Sequence, residues 1–331
     1  MMRMKKFLND PKNLVQELLE GYVLAYPDKV KLSGSGTVVR VAPKASGKVR
    51  LVTIGGCGHE PGLSGFVGKG MLDVSVAGEI FAAPGAPKCV DALRDACKEG
   101  SNALLIVLNH AGDVLSANIA MEMVQREKLP VRMVLTEEDI SGPVGDRRGL
   151  VGCVAVYKVA GAAAELGASV DECTEIAQHM AHNMRTLAVA VRTATHPATG
   201  HPIFELDDDE MEIGMGQHGE AGTGRMKLKS ADETAEIMLE KLLEDLGAKE
   251  GDELLVLLNG AGATTLMELF LIFRRVAQLL EIKKIKLVRS MIGEFITTQE
   301  QAGFQMMIAR MDQKLIRLWD EPADAPFFAR P

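Results

Sequence analysis

The chain has 331 residues, 47% of them hydrophobic and 25% charged, with 37 Lys and Arg against 45 Asp and Glu for a net charge of −8. That length can bury a sizeable core and suggests two domains, while an acidic balance without a dense basic cluster argues against nucleic acid or an anionic membrane as partner. Aromatic residues make up only 4%, which disfavours platforms for base stacking.

The N-terminal "MMRMKKFLND" is not followed by the apolar stretch of a signal peptide, and no run approaches the length of a membrane span. The five cysteines, Cys57, Cys89, Cys97, Cys153 and Cys173, form no CxxC pair and sit mostly among apolar residues, as reduced thiols do. A soluble cytoplasmic protein is expected.

In chain order, "VRLVTIGG" (49–56) reads as a buried strand and "APKCVDALRDACKEG" (86–100) as a helix. "ALLIVLN" (103–109) is again a strand, "SANIAMEMVQREKLP" (116–130) a helix and "VRMVLT" (131–136) a strand. The 154–191 segment predicts two helices and then a new strand, and 203–222 reads as strands and turns. Ser230 is the expected N-cap of a helix over 230–247, with Glu233 completing a capping box, and "ELLVLLNGAG" (253–262) is a further strand. The alternation predicts an α/β fold of two domains, 1–184 and 185–331, each a largely parallel or mixed sheet flanked by helices. "ALLIVLNHAGDVLSANIAMEM" faintly echoes "ELLVLLNGAGATTLMELFLIF", weak support for two α/β halves. The C-terminal "WDEPADAPFFARP" is expected to be an extended arm, packed on the N-terminal domain or on a neighbouring subunit.

Ligands of open α/β sheets bind at the carboxyl ends of the strands, and three such ends carry chemistry-bearing residues. "IGGCGHEPGLSGFVGKGML" combines several glycines between Gly55 and Gly65 with His59 and Glu60; backbone N–H groups there can approach a small polar ligand. "LNHAGDV" delivers Asp113 just past a strand, and "MGQHGEAG" sets His218 between glycines. Alone, His218 reads as a turn residue; with the other two loops it completes an acid/base set. "FVGKG" fails as a P-loop, because Gly70 follows Lys69 and Leu63 stands at the leading glycine position. His179 and His182, three apart on a helix, lack a convincing third metal ligand. His196 and His201 read as turn residues, and "LDDDE" (206–210) as a solvated turn without EF-hand spacing.

"GGCGHEPGLSGFVGKGMLD", "LNHAGDVLSANIA", "DRRGLVGCVAVYKVAGAAAELG" and "DEMEIGMGQHGEAG", in this order, resemble the K subunit of dihydroxyacetone kinases. The resemblance runs from about residue 4 to residue 331. It implies a homodimer that binds a short-chain ketose covalently, as a hemiaminal on His218. His59 would donate and accept protons, Asp113 would be the base at the terminal hydroxyl, and the backbone of Gly56, Cys57 and Gly58 would cradle the substrate. It also implies that this chain binds no nucleotide or other cofactor. ATP, or Mg-ADP recharged by a phosphotransferase-system protein, would sit on a separate L-type subunit.

The sequence departs from the family pattern at the substrate. "GSGHEPAH" is usual where Cys57 and Leu63 stand here, and "KNYTGD" appears as "LNHAGD", so that Leu108 replaces a substrate-contacting lysine and His110 and Ala111 replace Tyr and Thr. Three readings follow: a kinase subunit for dihydroxyacetone, the same chemistry on another ketose such as a tetrulose, or a non-catalytic ketose-binding co-regulator. The retained Asp113 argues against the last.

Overall fold

The computed structural model describes residues 5–331 apart from Ser35, Gln217, His218, Ala221 and Thr223. After a helix α1 (Leu14–Ala25), the first half supplies β1 (Val30–Leu32), β2 (Thr37–Arg40), β3 (Arg50–Cys57), β4 (Val74–Ile80), α2 (Ala86–Ala96), β5 (Ala103–Leu108), α3 (Ala111–Arg126) and β6 (Val131–Thr136). Two helices follow, α4 (Gly152–Glu165) and α5 (Val170–His182). The second half then runs β7 (Met184–Arg192), β8 (Glu210–Ile213), β9 (Gly224–Lys227), α6 (Ala231–Leu246), β10 (Glu253–Gly260), α7 (Leu266–Ile282), β11 (Lys286–Gly293) and β12 (Ala302–Arg310). A short helix α8 (Gln313–Asp320) and the hairpin β13 (Ala323–Ala325) and β14 (Phe328–Arg330) end the chain.

Two six-stranded sheets result, ordered β1-β2-β4-β3-β5-β6 and β11-β10-β12-β7-β8-β9. Each belongs to an α/β domain with a mixed sheet, as the alternating pattern predicts. In the first sheet, β4, β3, β5 and β6 run parallel, and β5 is buried at every position, as expected for a parallel strand covered on both faces. The second sheet is the more mixed of the two: β10 pairs parallel with β11, but β12, β7, β8 and β9 continue antiparallel. The physical reason is the short β11–β12 connection, which lacks the crossover helix that a parallel return requires.

The core is layered. One cluster joins α2 and α3 to the first sheet through Val90, Leu93, Leu105 and Ala120. Another joins α6 and α7 to the second through Leu239, Leu242, Val256 and Val276. The largest lies between the sheets, where α4 and α5 meet Leu104 and Ile106 of β5, Leu255 and Leu257 of β10, and Met307 of β12. This wedge explains why α4 is buried from Gly152 through Ala164 and why its sequence is almost free of charge. The C-terminal arm packs back on its own chain: Lys69 N–H donates to Asp324 O at 3.1 Å and Asp324 N–H to Lys69 O at 2.8 Å. Among the described residues no helix is long and apolar enough to cross a membrane.

Candidate active site

β3 and β5 lie side by side and parallel, so the chain segments leaving their carboxyl ends converge. The resulting cleft is lined by Ile54, Gly55, Gly56, His59, Leu63, Leu108, His110 and Asp113. Of the predicted site residues, His59, Asp113, Gly56 and Leu108 therefore share one cleft. Cys57 is buried in the central core and borders the apolar cavity on the far side of the glycine-rich loop, beneath Tyr22 and Tyr26. Burial pushes its thiol up to about 12, so it is no ready nucleophile. Gly58 has φ +98 and lies against the ring of Phe81, where a Cβ would collide. Only glycine meets both demands. His218 lies outside the described residues.

His59 is buried, and its Nδ1 is 2.7 Å from Thr297 O. A carbonyl oxygen can only accept, so Nδ1 carries the hydrogen and Nε2 is the basic nitrogen of the neutral ring. The main chain repeats the link: Thr297 N–H donates to His59 O at 3.0 Å and Gln299 N–H to Gly58 O at 3.2 Å. The Thr297 hydroxyl donates to Glu60 O at 2.8 Å. Asn259, fully buried at the end of β10, holds the clamp in turn. Its Oδ1 accepts from Phe295 and Ile296 N–H at 2.8 and 3.1 Å, and its Nδ2 donates to Ile296 O at 2.7 Å. The second sheet thus orients the histidine of the first. Beside His59 stands Phe81, with centroids 5.1 Å apart, and His196 meets the ring of Phe81 edge-on at 5.4 Å.

Asp113 is not on a loop, as the sequence suggests, but in the first turn of α3, which starts at Ala111. "HAGD" reads as a turn because of its glycine, yet His110 is the N-cap and the helix begins at once. The carboxylate consequently sits in the positive field of the helix N-terminus. His110 turns Nε2 toward Gly149 O at 2.9 Å, and Asn109 Nδ2 donates to Arg147 O at 2.7 Å. Thr297 carries no local sequence signal, since it acts on a residue far away in the chain; Asn259 and Arg147 lie in the stretches "ELLVLLNGAG" and "DRRGLVG", but their bonds to distant residues leave no mark there.

The remaining candidates behave as surface residues. His179 is half-exposed and pairs with Asp312 at 2.6 Å, and no group of three or more metal-ligating side chains occurs among the described residues. His196 and His201 close a turn, His196 N–H donating to His201 O at 2.8 Å. Asp209 of the acidic run pairs with Lys227. Glu60 is the exception: it is partly buried, and loss of solvent raises its carboxyl although Gly58 N–H donates to it at 2.9 Å.

A cleft at adjacent parallel strand ends, walled by a buried histidine and a carboxylate in the first turn of a helix, is the kind of site that α/β proteins present to small polar ligands. The Dak1 domain model matches residues 20–327, so the chain belongs to the Dak1 domain family. It is 38% identical to the PTS-dependent dihydroxyacetone kinase, dihydroxyacetone-binding subunit DhaK, of Lactococcus lactis, over 93% of this chain and 94% of that one. It is 36% identical to the L-erythrulose kinase of Pectobacterium atrosepticum, over 99% of this chain but 56% of that longer protein. Among solved structures, a dihydroxyacetone kinase operon co-activator superposes with a TM-score of 0.90 at 28% identity, over 95% of this chain and 98% of that one.

Proposed function

We propose that this chain is the ketose-binding subunit of a dihydroxyacetone-type kinase, working with a separate nucleotide-bearing L-type subunit. The supporting observation is the cleft itself, which holds His59, Asp113, Gly56 and Leu108 together, with the tautomer of His59 fixed by Thr297. Residues 1–184 would supply this wall, and 185–331 would supply His218.

In this reading a neutral ring nitrogen of His218 adds to the ketose carbonyl carbon. The carbonyl oxygen takes up a proton and the other ring nitrogen releases one, so the hemiaminal forms without net proton change. His59, through Nε2, exchanges that proton with the oxygen. Asp113 then accepts the proton of the terminal hydroxyl as its oxygen attacks the terminal phosphorus of the nucleotide presented by the partner, and the nucleoside diphosphate leaves, to be exchanged for ATP or recharged by a phosphocarrier. Positioning and a general base are most of what phosphoryl transfer requires of a protein. Covalent capture also selects ketoses over polyols, which have no carbonyl. The nucleotide belongs to the partner, the protein to the cytoplasm, and the working form is a homodimer.

Two observations favour variants of this reading. Leu63 and Leu108 give the cleft an apolar side, and with the likeness to the L-erythrulose kinase this favours a four-carbon ketose as an additional substrate. The likeness to the co-activator favours a non-catalytic receptor, against which the Asp113 carboxylate in the cleft stands. The experiment is intact-protein mass spectrometry with trioses and tetruloses, followed by turnover with an L-type subunit and its phosphoryl donor. A mass gain of one ketose that disappears in His218→Ala, with phosphorylated product, is expected. An adduct without turnover leaves the receptor, and no adduct with any ketose ends the reading.

A further inference from the structure

We infer that Arg148 is a positioning residue for this site, pinning the loop in which His218 lies to the wall that carries His110 and Asp113. The inference rests on the reading above. Arg148 lies on the connector between β6 and α4, and its guanidinium faces two ways. Toward the connector, Nε donates to Asp139 Oδ2 at 2.9 Å, Nη2 is 2.8 Å from the same oxygen and 2.6 Å from Ser141 Oγ. Toward the loop, Nη2 donates to Gly214 O at 2.9 Å and Nη1 is 3.9 Å from Glu220 Oε2.

Asp139 is a firm anchor for this fork. It is fully buried, its other oxygen accepts Ser141 N–H at 3.0 Å, and its own N–H donates to Arg148 O at 3.0 Å. On the loop side, Gly216 N–H donates to Glu220 O at 2.8 Å. A Cβ at Gly216 would collide with Arg148 Nη1 and Glu220 Oε2, so Gly216 and Glu220 both lie close against the guanidinium. Glu220 continues the chain of contacts, its Oε1 lying 3.9 Å from His110 Nδ1. His110 is bonded in turn to Gly149 O, next to Arg148. One residue therefore touches the loop four positions before His218, at Gly214, and two positions after it, at Glu220.

The chemistry explains why this residue should be arginine. A planar fork with five donors can serve a carboxylate and a carbonyl in fixed directions at once, which a lysine ammonium cannot. Addition to a carbonyl depends steeply on placement, and a displacement of 1 Å can cost about 100-fold.

The test uses the full chain with Arg148→Lys, Glu220→Gln and the pair Arg148→Gln with Asp139→Asn. The pair avoids leaving Asp139 buried and unmatched. Three quantities are read: amide hydrogen exchange of peptides covering 212–222, the dihydroxyacetone concentration that half-saturates the mass adduct, and the melting midpoint. Arg148→Lys should speed exchange in 212–222 about tenfold and raise the half-saturating ketose about tenfold, with exchange in β5 unchanged. Glu220→Gln should act in the same direction by two- to fivefold. Wild-type exchange in 212–222 in all three proteins, faster exchange with unaltered capture, or an equal rise throughout the chain would each overturn the positioning role. If wild-type protein forms no adduct with any ketose, the functional reading fails, and the exchange measurement still decides whether Arg148 holds the loop.

Discussion

The units β5–α3 and β10–α7 echo one another in sequence, and both fold as a strand ending near an asparagine and then a helix, yet their helices begin differently. At α7, Thr265 and Glu268 close a full capping box, as Ser169 with Glu172 and Ser230 with Glu233 do at α5 and α6. Asp113 occupies the same third position of α3 as those glutamates, but no box closes there, because the N-cap His110 turns its ring to Gly149 O. At α4 a third solution appears: the buried Glu138 accepts Leu150 and Gly152 N–H at 2.7 and 2.9 Å. A helix whose first turn is sealed by its own side chains is structural. The helix whose third-position carboxylate lines the cleft is the one that can do chemistry.

The sharpest way to break this comparison is to exchange the carboxylates at equivalent positions for amides. Asp113→Asn should leave covalent ketose capture intact and lower phosphorylation about 10²- to 10⁴-fold, the range of general base catalysis. Glu268→Gln should leave both untouched. Normal turnover of the Asn variant, followed by product formation with an L-type partner, would show that the unsealed helix carries no base.

The asparagines are next. Asn259 is fully buried with three hydrogen bonds to 295–296, and Asn259→Ala should cost about 3 kcal/mol by chemical denaturation. It should also loosen Thr297 and so lower turnover through the orientation of His59. Asn109, partly exposed and bonded mainly to Arg147 O, should cost about 1 kcal/mol on the same change. Equal losses would mean that the echoed units are not distinguished at this residue.

How much of this was legible follows from distance along the chain. His59 and Asp113 stand at strand ends, and hydrophobic runs announce strand ends. The helical start of α3 was hidden because histidine is an unusual N-cap and "AG" looks like a turn. Strand polarity in the second sheet was not legible, since an apolar run has no direction; only the short β11–β12 connection decides it. Thr297, which sets the tautomer of His59 from 238 residues away, and Arg148, which works through main-chain oxygens and an anchoring aspartate, have no periodicity or spacing to betray them.

Glu138 sharpens the comparison through pH. Burial, the dominant cause, pushes its carboxyl up to about 7 from 4.5, despite the backbone donors at α4. The folded protein therefore holds a proton between about pH 4.5 and 7 that the unfolded chain has lost. Stability from this group is full below pH 4.5 and falls as pH rises toward 7, by about 2 to 3 kcal/mol. Glu138→Gln keeps the acceptor and removes the titration, so the difference in unfolding free energy between variant and wild type should grow in the variant's favour from pH 5 to 8. A flat difference would mean that the carboxylate stays ionised at the α4 N-terminus throughout.

The smallest effect belongs to the sealed helix. Thr265→Ala removes the side-chain oxygen that accepts Glu268 N–H at 3.3 Å and the hydroxyl that donates to Glu268 Oε2 at 2.7 Å. The cap is exposed to solvent, so water replaces part of what is lost and the cost should be about 1 kcal/mol. Because α7 lies on the outer face of the second sheet, that loss should not reach the cleft, and ketose capture should be unchanged at any temperature where the variant is folded. Capture weakened in step with stability would mean that both echoed helices support the site, and that an open first turn is not what sets α3 apart.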